Sequence, residues 1–365
     1  MAASRRKFVV ENDSFLRLIQ VALDPDAPRE RFEAFAHFCK HDLPDFAGWC
    51  ERVRSRAPGL YPANVPLVDD ESELLANASG AEVFVVESIG VGEKEIAAAI
   101  PALKIVHKYG VTTPRIDRAA CDRAGVRVMT IRRRANISTA EQALTLMLAL
   151  ARQITLNANL ISVVQLRAAG YTPTTYQREH TPNGNWARIT GLVTLYQRQL
   201  GIIGLGEIGR ELAVRAAALD MRIVYSQRNR LAPEVEGQYR ATYVPLDELL
   251  KASDFVSVHL PRTDATRNFI GSHELGLMKP GAFLINVSQP NQIDREALSE
   301  ALVSGHLGGF GLDTFYDEPG SPDDPLIHFP NVVVSPHLGG SPRFNSLDDI
   351  EEVVANLGRA LGSSH

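Results

Sequence analysis

The sequence predicts an α/β protein composed of two doubly wound parallel-sheet domains. Short apolar segments alternate with segments of helical periodicity on both sides of a long apolar helix, and this alternation is typical of parallel sheets covered by helices. A glycine-rich turn at residues 201–209 joins an apolar strand to a helix. The length of 365 residues also favours two domains over a single core.

The first domain is expected to begin with a strand at residues 8–10 and a helix at residues 29–39. Further strands are predicted at 81–87, 103–107 and 126–129, and helices at 93–100 and 116–124. This order predicts a parallel sheet of the flavodoxin-like type. The long apolar helix follows at residues 138–154, and Ser138 or Thr139 is its expected N-cap.

The second domain opens with the most informative motif. A strand at residues 199–203 leads into Gly204, Gly206 and Gly209, which form G-x-G-x-x-G before a helix. The first glycine permits a tight turn, the second lets the backbone approach a pyrophosphate, and the third lets the helix pack on the strand. The motif therefore predicts a Rossmann domain that binds a dinucleotide at the helix N-terminus. The expected contacts from this turn are Gly204, Gly206, Glu207 and Ile208.

Strands and helices continue to alternate as far as residue 334. The strands are predicted at 221–225, 255–259, 282–287, 308–312 and 332–334, and the helices at 246–251, 273–277 and 295–304. A last helix at residues 345–361 follows the final strand, and we expect it to pack on the first domain. The Rossmann cofactor domain, residues 138–337, would then be inserted in a flavodoxin-like catalytic domain formed by residues 1–137 and 338–365.

Composition excludes several classes of function. The net charge of −5 and the isoelectric point near 6.1 argue against general affinity for nucleic acid or anionic membranes. Apolar runs are too short to span a bilayer, and the N-terminus lacks the pattern of a signal peptide. The three cysteines suit a reducing cytoplasm, where we expect the protein to be located. We expect no metal site, because the spacing of His37, Cys39, His41 and Cys50 fits no standard zinc pattern.

Ordered motifs extend over residues 81–342. They lie at 103–106, 110–111, 116–117, 137–141, 200–209, 277–282, 284–287, 312–319 and 335–337. Together they resemble the D-isomer-specific 2-hydroxyacid dehydrogenases, the family that includes phosphoglycerate, glyoxylate and formate dehydrogenases. The resemblance implies an NAD(P)-dependent oxidoreductase that transfers a hydride between a nicotinamide cofactor and a CH–OH or C=O group of a small-molecule substrate. It also implies a homodimer.

The resemblance assigns catalytic roles to three positions. His337 matches the histidine that exchanges a proton with the substrate oxygen, and Glu318 matches the glutamate that orients it. The family has an arginine at the end of the strand at residues 282–287, where it clamps the substrate carboxylate. Asn286 and Asp294 fix the register here, and Gln289 occupies the arginine's position. A neutral glutamine cannot form the charged bidentate fork.

Two interpretations of this replacement stay open. In one, the substrate is not a simple 2-oxoacid, and Gln289 contacts a carbonyl or another polar group. In the other, one of the three consecutive arginines at residues 132–134, with Arg134 the candidate, supplies the missing cation. The substrate contacts expected in the first domain are Gly110, Val111, Tyr109 and Ser88.

The choice between NAD and NADP depends on the end of the second strand of the Rossmann domain. An acidic residue there would bind the adenosine ribose and repel a 2′-phosphate. This chain has Ser226 at that position, followed by Arg228 and Arg230, and an arginine suits a phosphate. We therefore expect NADP to be preferred. The remaining cofactor contacts that the resemblance implies are His259, Pro261, Asp313 and His337.

Two other functions remain open at this point. The missing arginine also fits a lyase or isomerase that retains its nicotinamide cofactor through a transient oxidation. A dehydrogenase-like protein that only senses the cofactor is the other alternative, but it would have little use for the His337–Glu318 pair.

Overall fold

The computed structural model describes residues 5–174, 176–177 and 179–362. The chain forms two compact units, one composed of Met1–Ser138 with Gly340–His365 and the other of Thr139–Gly339. Each unit is built on a parallel β-sheet with helices on its faces. The predicted fold class, two doubly wound α/β domains, is therefore confirmed.

The sheet of the first unit has the order β2-β1-β4-β5-β6, with β3 also beside β1. Its strands are β1 (Arg6–Glu11), β2 (Ala63–Asn64), β3 (Leu67–Val68), β4 (Val83–Val86), β5 (Ile105–Lys108) and β6 (Arg127–Thr130). Its helices are α1 (Arg17–Leu23), α2 (Arg29–Cys39), α3 (Phe46–Arg56), α4 (Glu71–Asn77), α5 (Glu93–Ala99), α6 (Arg118–Arg123) and α15 (Phe344–Gly362). The strand order reverses between β1 and β4, and open α/β sheets bind ligands beyond the carboxyl ends of such strands.

Two apolar layers cover the faces of this sheet. On one face, Phe8 and Val85 of the sheet pack with Trp49 of α3 and Ile350 of α15. On the other, Phe84 and Val106 pack with the helices that connect the strands. The last helix of the chain is thus part of the core of the first unit.

The sheet of the second unit has the order β13-β12-β11-β10-β7-β8-β9. Its strands are β7 (Gln199–Ile203), β8 (Arg222–Ser226), β9 (Ala241–Tyr243), β10 (Phe255–Val258), β11 (Phe283–Asn286), β12 (Gly309–Leu312) and β13 (Val332–Val334). The helices from the first unit's end onward are α7 (Arg134–Ala151), α8 (Ile154–Asn157), α9 (Val163–Ala168), α10 (Glu207–Ala218), α11 (Pro233–Tyr239), α12 (Leu246–Ala252), α13 (Ser272–Leu277) and α14 (Arg295–Val303). The reversal of strand order lies between β7 and β10, next to the glycine-rich turn.

The predicted N-cap of the long helix is wrong. Helix α7 begins at Arg134 rather than near Ser138. The reason is Asp349 of α15, whose two carboxylate oxygens each accept the backbone N–H of Arg134 at 3.0 Å. A carboxylate distant in sequence therefore supplies the acceptor that a capping side chain would provide. The helix also ends early, at Ala151, because Gln153 adopts a left-handed conformation with φ 51°.

Candidate active site

The glycine-rich turn has the geometry of a phosphate cradle. A Cβ atom on Gly204, whose φ is 94°, would lie 2.6 Å from the carbonyl oxygen of His259, and one on Gly209 would lie 2.4 Å from that of Gly204. Gly206 is exposed and has open space around its missing Cβ, and α10 begins directly after it. Two glycines are thus required by packing, and the third leaves room for a ligand at the helix N-terminus. These residues fit the phosphates of a dinucleotide.

The end of β8 lies against this turn. The N–H of Gly204 donates to the carbonyl oxygen of Ser226 at 2.9 Å, and the N–H of Leu205 donates to Oε1 of Gln227 at 3.0 Å. Ser226 is buried. The side chain that reaches the glycine turn is therefore that of Gln227, which the sequence analysis did not single out. The available signal was its position directly after the strand.

A second turn follows β10. Nε2 of His259 is 2.8 Å from Oγ of the buried Ser257, and burial lowers the pKa of His259 to about 4, so its ring is neutral at neutral pH. The fully buried Gln292 donates from Nε2 to the carbonyl oxygens of Leu260 and Pro261, at 2.9 and 3.2 Å. Gln292 was also missed from the sequence. It ties the turn expected beneath the cofactor to the segment that contains Gln289.

Gln289 lies at the carboxyl end of β11, in a short loop held at both ends. Nδ2 of Asn286 donates to the carbonyl oxygen of Gln289 at 2.9 Å, and Oδ1 of Asn286 accepts the N–H of Ser288 at 2.8 Å. A 3-10 turn begins at Pro290. At the far end, Asp294 caps α14 by accepting the N–H of Ala297 at 2.9 Å. The loop backbone is thus fixed by its own residues.

His337 and Glu318 are paired. Nδ1 of His337 is 2.9 Å from Oε2 of Glu318, and Oε1 of the same carboxylate accepts the N–H of Phe315 at 3.0 Å. The side chain of His337 is 59% exposed, and its backbone is left-handed with φ 57°. A cavity of about 780 Å³, lined in part by Phe315 and Val334, opens beside the pair. Nε2 of the imidazole is therefore the ring atom that remains for proton exchange.

The loop that contains His337 is shaped by Asp313, which is buried at the end of β12. Oδ1 of Asp313 accepts Oγ–H of Ser335 at 2.7 Å and the N–H of Leu338 at 2.9 Å, and Oδ2 accepts the N–H of Gly339 at 2.7 Å. The N–H of His337 donates to the carbonyl oxygen of Asp313 at 2.8 Å. Asp313 thus positions the histidine, while its expected contact with the cofactor stays a prediction.

In the first unit, the loop after β4 encloses a carboxylate of its own chain. Glu11, at the end of β1, accepts the N–H groups of Glu87, Ser88 and Ile89 at 2.5, 2.8 and 3.1 Å, and Oγ–H of Ser88 at 2.6 Å. Glu71 accepts the N–H of Gly90 at 2.9 Å. The N–H groups that could hold an anion on this loop are therefore already used.

The loops after β5 and β6 are dominated by internal ion pairs. Nζ of Lys108 donates to the carbonyl oxygen of Glu87 at 2.6 Å, and Nη1 of Arg133 is 3.7 Å from Oε1 of Glu87. Burial raises the pKa of Glu87, and these two cations oppose that rise. Tyr109 is fully buried, with the guanidinium carbon of Arg133 4.1 Å from its ring centroid. A contact of Tyr109 with substrate stays a prediction, as do those of Gly110, which is buried, and Val111, which is 40% exposed.

Arg134 is engaged within the first unit. Its guanidinium is 2.9 Å from Asp349 and 2.7 Å from Glu352. The contact of Arg134 with substrate therefore stays a prediction.

Within residues 5–174, 176–177 and 179–362, no group of three or more His, Cys, Asp or Glu side chains is arranged to hold a metal ion. In the same described residues, no helix combines the length and apolar character needed to cross a bilayer.

Comparison with known proteins gives one family. Residues 166–339 match the model of the NAD binding domain of D-isomer specific 2-hydroxyacid dehydrogenases. A glyoxylate reductase of Thermococcus onnurineus is 36% identical over 264 residues, which is 72% of this chain and 74% of that protein. A D-3-phosphoglycerate dehydrogenase of Mycobacterium bovis is 35% identical over 274 residues, or 74% of this chain and 48% of that protein, so this chain spans about half of its length.

A solved structure agrees with these relatives. The crystal structure of a glyoxylate reductase from Paecilomyes thermophila matches with a TM-score of 0.55 and 25% identity, and the match covers 99% of this chain and 96% of that one. The chain therefore belongs to the D-isomer-specific 2-hydroxyacid dehydrogenase family, and it is a nicotinamide-dependent dehydrogenase that acts on CH–OH donors.

Proposed function

We propose that this enzyme transfers a hydride between NADP and a CH–OH or C=O group in a substrate that is not a simple 2-oxoacid. The observation that carries the proposal is Gln289, a neutral side chain at the position where the family has its carboxylate-binding arginine. A substrate carboxylate that contacts Gln289 would lack the charge-assisted bidentate hydrogen bonds that an arginine provides. The amide can still donate one hydrogen bond to a carbonyl oxygen.

His337 and Glu318 are the proposed proton-transfer pair. A bound nicotinamide cofactor supplies or accepts the hydride. In the reducing direction, Nε2 of His337 gives a proton to the substrate oxygen, and in the oxidising direction the same atom takes it. Glu318, 2.9 Å from Nδ1, holds the ring in one orientation and stabilises its charged form.

Residues 1–137 with 338–365 are the proposed substrate domain, and residues 138–337 are the proposed cofactor domain. The loop of Ser88 favours a neutral substrate, because its N–H groups already donate to Glu11 and are not available to a substrate carboxylate. The other proposed substrate contacts on this domain are Tyr109, Gly110, Val111 and Arg134. A substrate carboxylate would add a further negative charge beside Glu11 and Glu87, and burying an unpaired charge is costly. An aliphatic or aromatic hydroxy compound without a carboxylate avoids this cost.

The exchange Gln289→Arg tests this proposal. Absorbance at 340 nm is followed with 2-oxoacids on the one hand, and with ketones and aldehydes of matched size on the other. The arginine is expected to raise kcat/KM for 2-oxoacids at least tenfold relative to the neutral carbonyl compounds, the effect of one charged pair. Equal reduction of 2-oxoacids with and without the arginine would show that position 289 does not set specificity.

The preference for NADP is proposed from the end of β8. Neither Ser226 nor Gln227 carries a charge that would repel a 2′-phosphate, and the exposed Arg228 follows them. The kcat/KM values with NADPH and NADH decide this point. A preference for NADH would refute the choice of cofactor and leave the hydride transfer intact.

We further propose that the enzyme is a cytoplasmic homodimer. The three cysteines are free and buried, as suits a reducing compartment. Ile161 and Val164, in the segment around α9, are 82% and 78% exposed, and such apolar surface suits a subunit contact. Light scattering of the purified protein tests the dimer, and Ile161→Ser is expected to weaken it.

A further inference from the structure

Two arginines follow β8, and their surroundings differ. Arg228 is exposed, and the described part of the chain gives it no ion pair. Arg230 is engaged: its Nε is 2.9 Å from Oε1 of Glu236, and its Nη2 is 2.9 Å from Oε2. Both carboxylate oxygens thus contact one guanidinium. The sequence presents the two arginines as equivalent, but the charge of Arg230 is already compensated by Glu236.

Glu236 is the fixed partner in this pair. Its side chain on α11 is 11% exposed, while that of Arg230 is 59% exposed. Oε1 of Glu236 also accepts the hydroxyl of Tyr225 at 2.8 Å, and that hydroxyl accepts the N–H of Leu231 at 2.9 Å. Tyr225 is fully buried in β8. The carboxylate is therefore anchored to the strand that ends beside the glycine turn.

This pair follows the expected ribose position in the chain. In Rossmann domains the adenosine ribose lies at the end of the second strand, which here is β8. Its final residue, Ser226, accepts a hydrogen bond from Gly204 at 2.9 Å, and Arg230 is four positions further along the same loop. Glu236 already accepts from Nε and Nη2 of Arg230 and compensates its charge, so a phosphate on the ribose 2′-oxygen would have to share this guanidinium with the carboxylate.

We infer that Glu236 is a specificity-determining residue that competes with the 2′-phosphate of NADP for Arg230. Arg228 then supplies most of the recognition of that phosphate, and Glu236 limits how strongly the enzyme prefers NADP over NAD. The inference rests on the proposed function, since it concerns the cofactor of that same site.

The test measures binding rather than turnover. Adenosine 2′,5′-bisphosphate and 5′-AMP are titrated into wild type, Glu236→Gln, and Glu236→Gln combined with Arg230→Ala, by calorimetry. The glutamine keeps the size of the side chain and its acceptor for Tyr225, but it removes the charge. Glu236→Gln is expected to bind the bisphosphate about fivefold more tightly, because the carboxylate no longer compensates the charge of Arg230. Affinity for 5′-AMP should change less than twofold.

The double variant assigns the gain to Arg230, because removing that side chain must cancel it. An unchanged bisphosphate affinity in Glu236→Gln, or a gain that persists without Arg230, would overturn the inference. The proposed NADP preference fails differently, if wild type binds the bisphosphate no better than 5′-AMP. Even in that case, the affinity for the bisphosphate relative to that for 5′-AMP should be higher in Glu236→Gln than in wild type if Glu236 has the inferred role.

A second comparison does not depend on the folding of Glu236→Gln. Arg228→Ala and Arg230→Ala each remove one guanidinium, and Arg230 is the matched control because it lies in the same loop and is already paired with Glu236. Arg228→Ala is expected to weaken bisphosphate binding at least tenfold and Arg230→Ala less than threefold. An equal loss in both variants would contradict the inference.

Discussion

His337 and Glu318 are joined through Nδ1 and Oε2 at 2.9 Å, and the other oxygen of Glu318 is fixed by the N–H of Phe315. The carboxylate therefore bridges the backbone after β12 and the imidazole after β13. One side of the ring is held, and Nε2 is left for the proposed proton exchange with the substrate. This arrangement gives each of the two side chains a separate and testable contribution.

Replacing Glu318 by Gln should lower kcat/KM by about 10- to 100-fold, because Nδ1 of the ring loses the charged acceptor that fixes its orientation. The amide keeps the shape and can still accept the N–H of Phe315. Steady-state kinetics from pH 5 to 9 measure the change, and affinity for cofactor measured by fluorescence serves as the control. A kcat/KM equal to that of wild type in this variant would contradict the role of Glu318.

Gly339 is expected to tolerate no side chain. A Cβ atom there would lie 2.7 Å from Oδ2 of Asp313, which accepts the N–H of Gly339 itself. Gly339→Ala should therefore displace the loop of His337 and lower kcat at least tenfold, while stability falls by about 1–2 kcal/mol.

Gly340→Ala is the matched control for that change. A Cβ atom on Gly340 has no neighbour within 4 Å, so this variant should keep the activity and the melting temperature of wild type. Comparable losses in the two variants would show that the contact with Asp313 is not the cause.

Local patterns were sufficient to predict the scaffold of the second unit. The strand, the glycine turn and the helix from Gln199 onward lie within 20 residues, and the spacing of the three glycines indicates the structural role of each. Two capped helices of the first unit were not predicted. Helix α3 begins after Asp45, which accepts the N–H of Gly48 at 2.8 Å, and α4 begins after Asp70, which accepts the N–H of Glu73 at 2.9 Å.

Contacts between distant residues could not be predicted from one sequence. Asp349 accepts the N–H of Arg134 across 215 positions, and Glu11 accepts that of Ser88 across 77. Nothing near either carboxylate in the chain indicates its partner. Such contacts determine which charges remain available for a ligand, so the residues that contact the substrate stay predictions.

The pair of Arg134 and Asp349 allows a test of whether Arg134 stabilises the fold or binds the substrate. Asp349 is fully buried, so Arg134→Met leaves a buried carboxylate without its guanidinium and should cost about 3 kcal/mol of stability. Arg127→Met, at an exposed position of β6, should cost less than about 0.5 kcal/mol. Urea unfolding measures both. A rise in KM for Arg134→Met without loss of stability would instead favour contact with substrate.

His107 makes the stability of the first unit depend on pH. It is fully buried in β5, and burial lowers its pKa to about 4, whereas an unfolded chain takes up this proton near pH 6.5. Between these values the unfolded state binds more protons, so stability falls as the pH falls from 6.5 towards 4. From pH 7.5 to 5.0 the loss due to His107 should be about 2 kcal/mol.

His107→Met removes the titrating group and keeps an apolar side chain of similar volume, so the free energy of unfolding should lose about 2 kcal/mol less than wild type over the same range. Trp49, buried in the same core, reports the unfolding of the first unit by fluorescence in a Trp186→Phe background. The comparison needs only the difference between the two pH values in each protein, so a uniform change in stability from the substitution cancels. If both proteins lose the same free energy between pH 7.5 and 5.0, the ring of His107 is not neutral in the folded state and its burial does not have the predicted consequence.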